Sequence, residues 1–317
     1  MKKFLFLMLW AAATVAAGQT YPTKTITIIV PFTPGSATDV AARLVGDKLS
    51  TAWGQPVIID NRAGAGGTIG IAQTARAEPD GYTLAVVSTG HVVNPVLYKE
   101  LPYDTLKDLA GVAPLASLPS VLVVAPGLGI KSVKDLVAAA KAKPGEFNYG
   151  TAGVGSAAHI NSEKFNHAAG IKAVHIPLKG TPPILAETMA GRLHFAWVPS
   201  LGSMGLLKDG KLLALAVSTP RRIAALPDVP TIAEAGYPGG EFNFWVGMLA
   251  PAKTPRELIA KVHAEVNKAL QQPDVIERLA KLGAEPMLMN PAQFDAFIRR
   301  EHDELGKVLR DAGTKPQ

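Results

Sequence analysis

Short apolar runs alternate with stretches whose apolar positions recur at helical spacing, and the order of the two predicts the elements. The run Thr25–Val30 predicts a buried strand, and the turn Pro31–Gly35 leads from it into a helix over 38–53. Pro56–Asp60 predicts a second strand, Gly64–Gly67 lead into a helix ending near Ala77, and Tyr82–Val87 predicts a third strand. A second set follows, with helices over 133–143, 157–168 and 182–189. Its strands are expected at 147–149, 173–176, 194–198 and 213–217. Helices over 255–271 and 291–312 close the chain. Each follows a polar cap and a proline, Thr254-Pro255 and Asn290-Pro291. Strands alternating with helices in this way predict an α/β fold with parallel sheets.

Two apolar runs stand between the sets, Val121–Ala125 before Pro126 and Trp245–Ala250 before Pro251. If both strands cross between lobes, the final helices return to the first lobe and the domains are discontinuous. Lobe 1 is then 19–120 with 248–317, lobe 2 is 121–247, and the two crossing strands form a hinge. The competing arrangement is one continuous doubly wound sheet.

The N-terminus changes where the protein is expected to work. Lys2 and Lys3 precede the apolar run Phe4–Ala16, and Ala16-Ala17-Gly18 follows. Positive, apolar and small residues in that order predict a secretory signal over 1–18, cut near residues 17–19. The run falls short of the roughly 20 residues that span a hydrocarbon core. A soluble, monomeric periplasmic protein is expected. The chain has no cysteine, which excludes disulfides, Cys-ligated zinc, thiol catalysis and a lipid on an N-terminal Cys. With 48% hydrophobic and 18% charged residues it can build ample cores. The net charge of +6 falls by two when Lys2 and Lys3 are removed, and no long Lys/Arg run occurs, so no nucleic-acid partner is expected.

Ligands of open α/β sheets bind beyond the carboxyl ends of the strands, and the loops expected there share a design. Ser36 with Asp39 reads as a capping box at the head of a helix, preceded by Thr33, Pro34 and Gly35. The turn Gly150–Ser156, with Thr151, Ala152 and Gly153, ends in a capping Ser156, and Gly180-Thr181-Pro182 opens another helix. The polar loop Ser88-Thr89-Gly90-His91 follows the third strand. Helix N-termini carry unpaired N–H groups at a positive dipole end, which suits a carboxylate.

Other chemistries find less support. The stretch Arg62–Gly70 fails Gly-x-Gly-x-x-Gly, because Ile69 takes the last slot, and no phosphate cradle of the Gly-Lys-Ser/Thr type occurs. No cofactor and no metal are expected: the histidines lack His-Glu-x-x-His spacing. No Gly-x-Ser-x-Gly elbow is present, although Ser156 and His159 permit an acyl-transfer pair to be imagined. A secreted hydrolase of carboxylate esters therefore stands as a rival to a binding protein.

Pro31–Ser36 through Asp39, Asn61–Gly67, Pro79–Leu84, Tyr149–Ser156 with His159, and Pro177–Gly180 together resemble the substrate-binding proteins of tripartite tricarboxylate transporters (the TctC/Bug family). The resemblance continues through Leu226–Thr231, Glu234–Gly236, Ala250-Pro251 and Thr254-Pro255, so it covers the mature chain in order. It implies a Venus flytrap of the periplasmic-binding-protein kind, not an enzyme, that closes on a small organic carboxylate and docks on a membrane permease. A receptor that signals to a sensor kinase would share that closed form. The resemblance also implies that Thr33, Pro34, Gly35, Ser36 and Asp39 hold one carboxylate, with the turn Thr151–Ser156 completing the grip. Two departures stand out: Lys179 follows Leu178 where relatives often show Tyr-Lys-Gly, and Trp197-Val198-Pro199 replaces a polar or acidic segment. Trp197 is expected to meet the distal end of the ligand and to favour an aromatic or short aliphatic acid.

Overall fold

The computed structural model describes residues 21–311 and Pro316; the predicted export signal at 1–18 lies outside them. Two mixed sheets organise the chain. The first has six strands, in the order 285–286, 109–118, 244–251, 83–88, 26–30 and 57–61, and the second five, in the order 174–177, 148–151, 195–199, 120–124 and 213–217. In the first, β1 (Ile26–Val30) lies between β2 (Val57–Asn61) and β3 (Thr83–Ser88), parallel to both. Helices α1 (Ala37–Trp53) and α2 (Thr68–Ala75) make the crossovers. A short helix, α3 (Asn94–Leu97), follows β3. The strand β4 (Leu109–Leu118) then runs antiparallel to β10 (Phe244–Pro251).

The chain leaves this sheet at Pro119, and β5 (Ser120–Val124) begins the second one. There α4 (Val133–Ala142), β6 (Asn148–Thr151), α5 (Ala157–Ala169), β7 (Val174–Pro177), α6 (Thr181–Met189), β8 (Phe195–Pro199), α7 (Ser200–Lys208) and β9 (Leu213–Val217) follow. The return passes through residues 218–243 into β10, and α8 (Arg256–Leu270), α9 (Pro273–Lys281), β11 (Glu285–Pro286) and α10 (Pro291–Asp311) complete the first half. The passages between sheets therefore fall just upstream of the two apolar runs, each of which belongs to one sheet. Ser218 binds both passages together. Its Oγ accepts the Ser120 N–H at 3.0 Å and donates to the Phe242 carbonyl at 2.8 Å, and its N–H donates to the Ser120 carbonyl at 2.9 Å.

Five elements escaped the sequence pattern: the single turn α3, the two-residue β11, and three longer ones. The strand β4 contains Gly111, several alanines and Pro114, none a strand former. Pro114 pairs with Gly247 beside a shift in the β4–β10 register, the kind of bulge at which proline is tolerated in a sheet. Helix α7 starts directly from β8 and carries Gly202 and Gly205, which lower its propensity. Helix α9 follows α8 after a short turn, with Pro273 at its first position.

The first sheet buries one continuous core, in which Trp245 packs edge-on to Phe294 and Phe297 of α10. The second sheet has a core on each face. Phe195 and Trp197 point into one, with Phe165 of α5, and Ala196 and Val198 into the other, with Ile184 and Leu185 of α6. This alternation is the two-residue period of a strand.

Candidate functional site

The heads of α1, α5 and α6 and the C-terminal ends of β3, β8 and the segment after β1 converge on one cavity of about 30 Å³ between the sheets. Its walls include Phe32, Ser36, Ala37, Thr38, Ser88 and Phe244 from one side. From the other come Ala152, Ser156, Ala157, Ala158, Gly180, Thr181, Ile184 and Pro199. None of these side chains ionises. The first N–H groups of a helix have no acceptor inside it, so α1 and α5 present amides to the cavity from opposite lobes at their positive dipole ends.

Ser36 lies at the N-cap of α1 in an extended conformation, yet its hydroxyl makes no bond to its own helix. The capping box expected from Ser36 and Asp39 is not formed. Instead the Ser36 Oγ accepts the Thr181 N–H of the other lobe at 3.2 Å, and Thr33 donates its N–H to the Lys179 carbonyl at 3.3 Å. Asp39 turns away from the cavity. Its carboxylate accepts the Gly35 N–H at 2.9 Å, the Asn61 Nδ2 at 3.0 Å and an ion pair from Arg43 at 3.0 Å. Burial alone would raise its pKa; the bonds from Arg43, Gly35 and Asn61 outweigh burial and hold it below the usual carboxylate range. Asp39 thus fixes the loop Thr33–Gly35, whose Pro34 and Gly35 are exposed at the rim.

On the facing side Ser156 caps α5 as expected, its Oγ accepting the His159 N–H at 3.3 Å. Thr151 is buried and shares a hydrogen bond of 2.5 Å with the His175 Nε2. The His159 and His175 rings stack with centroids 4.5 Å apart. Burial lowers both to about 4, His175 being further depressed by His159 against a small opposing pull from Glu163. The His159 Nδ1 accepts the Gly155 N–H at 3.4 Å, and among the described residues the ring makes no bond to the Ser156 Oγ. The His159 ring thus serves its own turn, and the Ser156–His159 acyl-transfer pair is not formed here.

Four other expected residues serve elsewhere. The Thr89 Oγ1 accepts the Trp245 N–H at 2.9 Å and anchors β10. His91 lies behind the cavity in the first lobe, stacked on Tyr103, and burial lowers it to about 3. Lys179 is exposed and contributes its carbonyl. Trp197 is wholly buried in a core of the second sheet, because it lies within β8 on the face packed against α5; Pro199, where the strand ends, lines the cavity in its place. Gly90 and Gly153 meet backbone across the cleft. The apolar lining by Phe32, Ile184, Pro199 and Phe244 was missed: no local signal separates a cavity wall from core.

Two sheets joined by a double passage, closing helix N-termini over a neutral cavity, define a two-lobed solute-binding protein. The profile of the tripartite tricarboxylate transporter family receptors, TctC, matches residues 41–314, and the chain belongs to that family, whose members are receptors and not enzymes. Among curated relatives, BugT of Bordetella pertussis is 36% identical over 98% of this chain and 96% of its own. The UPF0065 protein in the tcbD-tcbE intergenic region of Pseudomonas sp. (strain P51) is 39% identical over 91% and 86%. Three solved structures superpose closely. Rpa4515 of R. palustris with adipate has a TM-score of 0.91 at 35% identity, covering 94% of this chain and 100% of that one. The periplasmic binding protein BugD gives 0.90 at 30% identity, over 94% and 100%. MatC of Rhodopseudomonas palustris with bound malate gives 0.87 at 32% identity, over 91% and 100%. No helix among the described residues is long and apolar enough to cross a membrane.

Proposed function

We propose that this chain is a periplasmic receptor, released from its export signal, that captures a small organic carboxylate between its lobes and delivers it to a tripartite tricarboxylate transporter permease. The observation that carries the reading is the cavity itself. Amide-bearing heads of α1 and α5 face each other from different sheets across walls without a charged side chain. Backbone amides and the hydroxyls of Ser36 and Ser156 then hold the carboxylate, and Phe32, Ile184, Pro199 and Phe244 cover the rest of the ligand. The lobes, 21–118 with 244–311 and 120–217, separate about the passages at Pro119 and 218–243 to admit it. About 30 Å³ has room for only roughly two waters, so binding requires that separation. The ligand favours closure only through its tighter binding to the closed form. Adipate and malate, bound by the two relatives above, are the first acids to test.

Calorimetry with adipate, malate, citrate, aromatic acids and neutral amides of the same acids tests this reading. Binding of at least one free acid and none of its amide is expected. Equal binding of acid and amide, or no binding of any acid, refutes it.

A further inference from the structure

The glycine-rich stretch Arg62–Gly70, which the dinucleotide fingerprint does not explain, meets the other lobe. Gly66 holds a left-handed φ of 61° at a point where a Cβ would overlap the Val154 carbonyl oxygen across the cleft. The Tyr98 hydroxyl donates to that same carbonyl at 2.8 Å. Gly90 approaches from the other side. Its would-be Cβ meets only second-lobe backbone, overlapping the Gly155 oxygen and lying 3.1 Å from the Ala157 nitrogen. The turn Gly153–Gly155 has left-handed glycines at both ends, and a Cβ on Gly153 would lie 2.8 Å from the Gly66 nitrogen. Backbone therefore meets backbone on both flanks of the turn, and none of Gly66, Gly90 and Tyr98 lines the cavity.

We propose that Gly66, Gly90 and Tyr98 form a closure seat for the turn Gly153–Gly155, and that this seat, which touches no ligand, sets affinity by setting how much of the protein is closed. The proposal rests on the capture reading above. Only residues without a side chain allow this approach, and Tyr98 adds a directed side-chain bond to the turn that exists when the lobes meet. Apparent affinity scales with the fraction of protein in the binding-competent form. Weakening the seat therefore lowers affinity without altering the ligand's own contacts.

Two substitutions separate the seat from the fold. Tyr98→Phe keeps the ring and removes the bond. Gly90→Ala adds a methyl that collides only across the cleft, at a position outside the left-handed region. Because the chain has no cysteine, spin labels can be placed at Gln73→Cys on the first lobe and Lys172→Cys on the second, both exposed. Distance distributions are then recorded with and without adipate, with far-ultraviolet circular dichroism as the control for folding. The parent is expected to show a closed population without adipate. Tyr98→Phe should lower the closed-to-open ratio about fivefold, and Gly90→Ala should abolish the closed population, with unchanged dichroism. Unchanged distributions in both variants, or a parent with no closed population, overturn the seat and leave carboxylate capture standing. Adipate that shifts no distance counts against that acid as ligand and not against the seat.

Discussion

Ser36 and Ser156 both follow a glycine turn and both precede a helix, yet the structure uses them differently. Ser156 caps its own helix, whereas Ser36 leaves α1 uncapped and reaches Thr181 across the cleft. Replacing each by alanine therefore separates two effects. Ser36→Ala should weaken carboxylate binding by about 1–3 kcal/mol in calorimetry with little change of the urea midpoint, because the Thr181 N–H it leaves without a partner reaches water when the lobes open. Ser156→Ala should lose similar affinity and also about 1 kcal/mol of stability through the vacated cap. Identical behaviour of the two variants would contradict the assignment. Local sequence could place both hydroxyls at helix starts, but the choice between own helix and opposite lobe depends on Thr181, which lies 145 residues from Ser36.

At the level of elements, the first turn of α5 and the strand β7 are joined by the stacked rings of His159 and His175, with Tyr149 stacked on His175 and bonded to Glu163. Burial keeps both imidazoles neutral, with folded values of about 4. An unfolded histidine takes its proton near 6.5. The unfolded state thus binds more protons between these values. Stability is fully present above about pH 6.5 and is lost as pH falls towards about 4. Urea midpoints measured across that window should fall with acidification, and His159→Asn should show a shallower decline; parallel profiles would rule the coupling out. Element reading from sequence succeeded where pattern and propensity agree, as in β1, α1 and β9. It failed for β4, whose alanines, Gly111 and Pro114 are held in a strand by pairing with β10.

For the molecule as a whole, the double passage between lobes is a single hydrogen-bonded knot at Ser218, buried and bonded to both crossing segments. Ser218→Ala would strand the Ser120 N–H in a buried place and should cost about 1–3 kcal/mol of unfolding free energy, read from urea titration. A loss below about 0.5 kcal/mol, the level of ordinary surface changes, would show that the passages are held by other contacts.

The sequence by itself determined the α/β class, the alternation of elements, the family to which the chain belongs, and the turns whose amides surround the cavity. Each is written in short segments: the period of apolar positions, a capping residue, a glycine that permits close approach. Tertiary structure decided which of those groups face one another. Trp197 and Pro199 are two residues apart on β8 and share a face of it, but Trp197 lies within the strand under a packed core, whereas Pro199 ends the strand at the head of α7 and lines the cavity. Gly66 and Gly90 acquire their meaning only when Val154 and Gly155 of the other lobe close onto them. Contacts between segments so distant along the chain are fixed by sheet pairing and lobe closure, and no local pattern records them.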